Sequence, residues 1–187
     1  MVAEVEWRRL RADELREMAR RDAMVILPVG SIEQHGPHLP VEVDSMLGET
    51  VAIETARRLA PSHPALVLPM LWTGLSEHHM SFGGTITLDE PTFLAVVGGI
   101  CRSVVRHGFK RLVLLNGHGG NENALRVAAD SLTPVLGVPI VQFTYWYAAA
   151  EAIGALLETQ AGLQHACEAE TSMMMAVRPD LVATDRI

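Results

Sequence analysis

The 187-residue chain has only two cysteines, few aromatic residues and no excess of basic charge. Cys101 and Cys167 cannot build a disulfide framework, so a reducing compartment such as the cytoplasm is expected. The net charge of −7 argues against nucleic acid and anionic membranes as partners. Because aromatic residues make up 5% of the chain, the core must rest on aliphatic side chains and methionine.

Long apolar runs are also missing. No stretch approaches the roughly 18 apolar residues that a membrane-spanning helix needs, and the N-terminal stretch MVAEVEWRRLRADEL lacks the apolar core of a signal peptide. Hydrophobic residues account for 49% of the chain and charged residues for 20%, which is typical of a folded protein. We therefore expect a single domain over residues 1–187, without a membrane partner.

Short apolar runs alternate with helical patterns along the chain. The sequence predicts strands at 24–29, 66–69, 111–115 and 139–144, and helices at 12–21, 45–59, 89–107, 121–132 and 168–177. This alternation predicts an α/β fold with a mainly parallel sheet that is covered on both faces. In such sheets the loops that follow the strands meet at one edge, where ligands bind.

Two of these loops carry titratable side chains. The stretch GSIEQHGPHLPVEVD contains Glu33, His35 and Asp44, and the stretch LLNGHGGN contains His118 between glycines. Carboxylates and imidazoles together are the ligands expected for Zn, Mn or Fe. Each turn alone is also typical of a capped or solvated loop, so the metal interpretation depends on their convergence. Asp44 is the candidate for a ligand shared between two cations.

A phosphate cradle is the alternative interpretation of the glycine-rich turn, because such turns open the N-termini of helices. The stretch GHGGN lacks the lysine and the glycine spacing of phosphate-binding loops. The sequence therefore favours a metal over a phosphate at His118.

Four blocks together, LPVGSIEQHGPHLPVEVD, GLSEHHMSFGGTITL, LLNGHGGN and HACEAETSMMMAV, resemble the creatininase family in order and spacing. The resemblance implies a three-layer α/β/α fold, two divalent metals per chain, and hydrolysis of amide C–N bonds. It implies Glu33, His35, Asp44 and His118 as metal ligands. It also implies His165 as the group that hands a proton to the leaving nitrogen.

The last metal ligand is less clear, since the chain has Gly120 where creatininase itself carries an acid. The choice lies between Glu168 and Glu170, and the sequence interpretation ranks Glu168 first. Glu170 shares a predicted buried stripe with Met173 and Met174, which favours a structural role for it.

The substrate is expected to contact the middle loop, the glycine-rich turn and an aromatic wall. The candidates are Ser76, Glu77, His78, Gly119 and Trp146, with Trp146 equally suited to a subunit contact. Because neighbouring side chains diverge, at most one of His78 and His79 is expected to face the site.

The predicted function is hydrolysis of a small cyclic or linear amide by a metal-activated water. A mycofactocin-type peptidase, a formamide deformylase and a metal-binding protein without catalysis are the alternatives, and a dehydratase or phosphoesterase is a further rival. The resemblance also implies a homo-oligomer, commonly a hexamer. The chain ends earlier than is usual in the family, so a C-terminally shortened domain is expected.

Overall fold

The computed structural model describes residues 4–187 and contains four strands, all in one parallel sheet. The strand order is β2-β1-β3-β4. The strands are β1 (Met24–Val29), β2 (Ala65–Val67), β3 (Leu112–Asn116) and β4 (Ile140–Thr144). The α-helices are α1 (Ala12–Arg20), α2 (Val43–Leu59), α3 (Glu90–Arg106), α4 (Glu122–Leu136), α5 (Tyr145–Ala148), α6 (Ala150–Gly154) and α7 (Glu168–Val177).

Helices cover both faces of the sheet, which confirms the predicted three-layer α/β/α class. On one face, Phe93 and Val97 of α3 and Leu125 of α4 pack in the same buried cluster as Val25 and Leu27 of β1. On the other face, α2 packs its alanines against β1 and β2, and α7 packs on α2 through Met174. Successive side chains of a strand point to opposite faces of the sheet, so the continuous apolar run of β1 supplies a core on each face.

The sequence predicted the start of α3 to within one residue but placed the end of α4 too early. The Asp89 side chain accepts a hydrogen bond of 2.8 Å from Thr92 N and so caps α3 as predicted. Helix α4 was expected to end near Leu132 but continues to Leu136, with Pro134 in its last turn. Gly137 then ends the helix in the left-handed conformation.

The two short helices α5 and α6 were not predicted, and they follow directly from β4. They carry the chain toward a loop at 155–167 that returns to the start of α7. No helix within residues 4–187 combines the length and the apolar character that crossing a membrane requires.

Candidate metal centre

The two polar turns meet because β1 and β3 are neighbouring parallel strands, with Val29 paired to Asn116. Both turns therefore leave the same edge of the sheet. The backbone N–H of Gly117 donates to the carbonyl of Val29 at 2.8 Å, which holds the turns together where the pairing ends. The convergence that the sequence interpretation required is present.

Asn121 ties a third loop to these two turns. Its side-chain Nδ2 donates to the Gly30 carbonyl at 2.9 Å, and its Oδ1 accepts from the N–H of Leu75 at 2.9 Å. The side chain is fully buried. The sequence interpretation used Asn121 only as the start of a helix, and the asparagine that ends LLNGHGGN was the available signal.

Gly117 lets α2 approach the turn after β3. A Cβ atom at this position would lie 2.7 Å from the carbonyl oxygen of Asp44 and 3.3 Å from the Cα of Gly48. The close approach brings the first turn of α2, and with it the Asp44 carboxylate, beside His118. No side chain larger than hydrogen fits there without moving the helix.

Four of the predicted ligands form one buried cluster. Asp44 Oδ1 lies 3.1 Å from His35 Nε2, and Asp44 Oδ2 lies 2.9 Å from His118 Nδ1. Glu33 Oε1 lies 3.4 Å from His118 Nδ1. All four residues are at most 4% exposed.

Both histidines are held by backbone carbonyls through the nitrogen that faces away from the carboxylates. His35 Nδ1 lies 3.1 Å from the Glu33 carbonyl oxygen, and His118 Nε2 lies 3.0 Å from that of Leu75. A carbonyl can only accept, so these ring nitrogens carry the N–H. The second nitrogen of each ring is thereby directed at the carboxylates, as in histidines that bind metals.

The electrostatics of the cluster follow from burying two carboxylates with two imidazoles. Burial acts to lower the pKa of each histidine, but the neighbouring carboxylates outweigh it. Those of Asp44 and Glu170 raise the pKa of His35 to about 10, and those of Asp44 and Glu33 raise that of His118 to about 10. Burial opposes ionisation of Asp44, yet the two imidazoles hold its pKa below the ordinary value.

Three buried atoms in this region have no hydrogen-bond partner among the side chains of residues 4–187. They are Glu33 Oε2, Asp44 Oδ2 and His79 Nδ1. Buried polar atoms are rarely left in this state because each one costs about 1–3 kcal/mol. Cations bound here would satisfy them, so the donor set fits divalent metal.

Glu170 reaches the cluster and Glu168 does not. Glu170 is buried, with Oε1 3.8 Å from His35 Nε2. The Glu168 carboxylate instead accepts from the N–H of Glu158 at 2.7 Å and from the N–H and hydroxyl of Thr159 at 2.9 and 2.6 Å. The ranking of Glu168 above Glu170 as a ligand therefore does not match their positions, since Glu168 anchors a loop.

His165 lies at the cavity side of the cluster. Its Nδ1 is 3.4 Å from Glu33 Oε1, and its Nε2 is 2.9 Å from the amide nitrogen of Gln34. An amide nitrogen only donates, so Nε2 accepts and the ring proton resides on Nδ1. Burial lowers the pKa of His165, and the charge of His35 adds to this effect, so the ring is kept neutral.

Both His78 and His79 line the cavity, against the expectation that only one would. They lie on a 3₁₀ turn, Glu77–Phe82, rather than in extended chain. Neighbours in a 3₁₀ turn are about 120° apart, and the turn lies at the cavity mouth, so both rings reach it. His79 Nδ1 lies 3.3 Å from Glu33 Oε2. The two adjacent histidines in the stretch SEHH were the sequence signal for this second residue.

The other predicted substrate contacts divide into two groups. His78, Gly119 and Trp146 line a cavity of about 470 Å³ above the cluster. Ser76 and Glu77 do not line it. Ser76 is fully buried, and its Oγ contacts Ser31 and lies 3.1 Å from His118 Nε2, so it supports the ring. Glu77 is exposed at the start of its turn.

Comparison with known proteins places this arrangement in a family. The sequence profile of the creatininase family, described as creatinine amidohydrolase, matches residues 8–187. The creatinine amidohydrolase of Pseudomonas putida is 33% identical, over all of this chain and 75% of that protein. A mycofactocin precursor peptide peptidase of Mycobacterium ulcerans is 34% identical, over 87% of this chain and 62% of the relative.

The fold gives the same result. A crystal structure of creatinine amidohydrolase (creatininase) superposes with a TM-score of 0.86 at 32% identity, over 98% of this chain and 76% of that one. The chain spans 75% of the Pseudomonas putida protein and 62% of the Mycobacterium ulcerans protein, and about half of several other relatives. A match over nearly the whole chain, in sequence and in fold, shows that it belongs to the creatininase family of amidohydrolases.

Proposed function

We propose that the chain is a metal-dependent amidohydrolase that cleaves the C–N bond of a small cyclic or linear amide by attack of water. The single observation that carries the proposal is the position of Asp44, which presents one carboxylate oxygen to His35 and the other to His118. A carboxylate placed in this way suits two neighbouring cations that share it.

Two ligand sets follow from the contacts. The first comprises His35, Asp44 and Glu170, and the second comprises Glu33, Asp44 and His118. Nitrogen and oxygen donors in this mixture suit Zn, Mn or Fe. Among the solved relatives, one is described as creatininase Mn and another as a Zn-Zn type. Such ions supply Lewis acidity, which lowers the pKa of water to about 7 and polarises a carbonyl.

His165 would pass the proton that the attacking water loses to the leaving nitrogen: the neutral ring first accepts that proton and then, as the imidazolium, donates it. Its Nδ1 proton is directed at Glu33 Oε1, at the boundary between the cluster and the cavity. Gln34 holds the other ring nitrogen and so orients the ring. His165 is about one-third exposed, which leaves it accessible to a substrate in the cavity.

The glycine-rich turn would bind the oxygen of the scissile carbonyl. Gly119 and Gly120 line the cavity and begin the 3₁₀ turn Gly119–Asn121, whose first N–H groups precede any hydrogen bond within the turn. Backbone N–H groups directed at a developing oxyanion are a large source of rate acceleration. Trp146 and Tyr147 form the opposite wall and suit a small planar group.

One relative is named as a 3-dehydro-scyllo-inosose hydrolase, whose substrate has no amide bond, so the substrate class is proposed from what the other three kinds of relative share. They are named for creatinine, for a mycofactocin precursor peptide and for a formylamino-pyrimidine nucleotide. Each of these contains an amide C–N bond, in a ring, a chain or a formamide. The reaction on that bond is the common element, and a creatinine-like amide is the first candidate.

The decisive experiment measures metal content and hydrolysis together. The purified chain, loaded separately with Zn²⁺ and Mn²⁺, is incubated with creatinine, an N-aryl formamide, a short peptide and a phosphate ester. We expect hydrolysis of an amide that requires metal and is lost in Asp44→Asn. The exposed Glu54→Gln on the same helix is the control. Hydrolysis of only the phosphate ester, or metal binding without turnover on any amide, would refute the proposal.

A further inference from the structure

Two of the unpartnered buried atoms face each other outside the contacts of Asp44. Glu33 Oε2 and His79 Nδ1 lie 3.3 Å apart, and neither has a hydrogen-bond partner among residues 4–187. Glu33 is 1% exposed, so water does not compensate its oxygen freely. An acceptor and a ring nitrogen this close, both unsatisfied, indicate a group between them.

His165 supplies a third donor at the same place. Its Nδ1 lies 3.4 Å from Glu33 Oε1, and the ring centroids of His165 and His79 are 4.4 Å apart. One ligand atom from each of the three residues lies within 4.8 Å of the others. Ligands about 2.1 Å from a tetrahedral ion are about 3.4 Å apart. His79 Nδ1 has this spacing from Glu33 Oε2 and His165 Nδ1 has it from Glu33 Oε1, so the carboxylate would use both of its oxygens.

We propose that Glu33, His79 and His165 form a further cation site at the cavity face of Glu33, which shares this carboxylate with the Asp44 centre. One carboxylate and two imidazoles suit Zn²⁺ best among common divalent ions. The fourth position faces the cavity, which all three residues line. For the ion to bind His165 at Nδ1, the ring proton moves to Nε2 and the Gln34 amide turns to accept it.

This site binds more weakly than the Asp44 centre. The side chain of His79 is 15% exposed and that of His165 is 35% exposed, whereas His35, Asp44 and His118 are buried. More mobile, solvated ligands lose more conformational entropy when they are fixed. Zinc therefore fills this site only after the buried centre.

The consequence for activity rests on the proposed function. An ion at His165 Nδ1 occupies the atom that carries the proton for the leaving nitrogen. It also fills the mouth of the substrate cavity. Excess zinc is therefore an inhibitor that acts on the same residues as the reaction.

The test uses zinc alone as the probe. The full chain and the His79→Gln variant are dialysed against increasing free Zn²⁺, and bound zinc is measured by elemental analysis. We expect the wild type to bind one more zinc per chain than His79→Gln at saturation. His63→Gln, which removes an exposed imidazole away from the site, is the matched control and should bind as the wild type does.

A second variant guards against misfolding of the first. His165→Gln changes a partly exposed ring, and we expect it to lose the same zinc while circular dichroism stays that of the wild type. Equal zinc counts and affinities in the wild type, His79→Gln and His165→Gln would overturn the site and leave a simple Glu33–His79 ion pair. The counts decide this even if no amide is hydrolysed. If one is, inhibition should need at least about tenfold more zinc in His79→Gln.

Discussion

Asp44 and His118 are in direct contact, with Oδ2 of the aspartate 2.9 Å from Nδ1 of the histidine. Asp44 lies in the first turn of α2, which follows β1, and His118 follows the neighbouring strand β3. Gly117 allows the contact by admitting the first turn of α2. The contact forms no hydrogen bond to Oδ2. That combination of proximity and an unsatisfied oxygen is why we assign the region to a cation.

Replacing Glu170 should weaken metal binding, whereas replacing Glu168 should not. Glu170 faces His35, while Glu168 binds the 158–159 loop. We expect Glu170→Gln to reduce the affinity for one cation at least about tenfold. Even residues that only hydrogen-bond to metal ligands contribute about this factor to metal affinity. Glu168→Gln is the matched control, two residues away. Competition with a chromophoric chelator measures both, and equal loss in the two variants would contradict the assignment of Glu170.

Glu168 should instead give the fold a pH dependence. Hydrogen bonds from Glu158 and Thr159 lower its pKa from the ordinary 4.5 to about 2. Because the pKa is depressed in the folded state, the ionised carboxylate stabilises the fold above about pH 4.5. This stabilisation is lost as the pH falls toward 2. Wild type should therefore be more stable than Glu168→Gln near pH 7, with the gap closing below pH 4.5. Chemical denaturation at several pH values measures the gap, and a constant gap would refute this role.

Metal binding should release protons near neutral pH. The pKa values of His35 and His118 are raised to about 10 when carboxylates alone surround them, so both imidazoles are charged at pH 7. A cation requires the neutral ring, and it therefore displaces one proton from each. Affinity should rise with pH until it passes about 10. Calorimetry in buffers of different ionisation enthalpy counts the protons, and a count of zero would contradict the proposed ligands.

Gly117 and Gly119 should differ sharply in their tolerance of a methyl group. At Gly117 a Cβ atom would lie 2.7 Å from the Asp44 carbonyl oxygen, whereas nothing lies within 4 Å of one at Gly119. We expect Gly117→Ala to cost about 1–3 kcal/mol in unfolding free energy through overpacking. Gly119→Ala should stay within about 0.5 kcal/mol of the wild type. Urea denaturation compares the unfolding free energies of the two variants, and similar losses in both would contradict the crowding at Gly117.

The fold and most of the cluster were predictable because they depend on patterns that are visible in the amino-acid sequence itself. The run Met24–Val29 was predicted as a strand with its observed ends, and His118 followed from a glycine-flanked turn after another strand. Topology then brings such turns together whatever the details of the loops. Resemblance to the creatininase family supplied the roles.

What could not be predicted depends on rotation about helices and on loop paths. Glu170 and Met174 were correctly predicted to be buried on one face of the helix. The sequence does not show which part of that face packs in the core and which part contacts the metal centre. Likewise, the 3₁₀ turn that directs both His78 and His79 into the cavity has no apolar period to reveal it. The anchoring of the 155–167 loop by Glu168 involves backbone N–H groups, which leave no trace in the sequence.

The ligands of the cluster come from distant parts of the chain, which limits when a cation can bind during folding. Glu33 and Asp44 lie at the start of the connection between β1 and β3, His118 follows β3, and Glu170 lies in the last α-helix. An early intermediate with one of these segments offers no complete coordination shell. The proposed ion would therefore bind only after these segments have come together, and its uptake would report on completed folding.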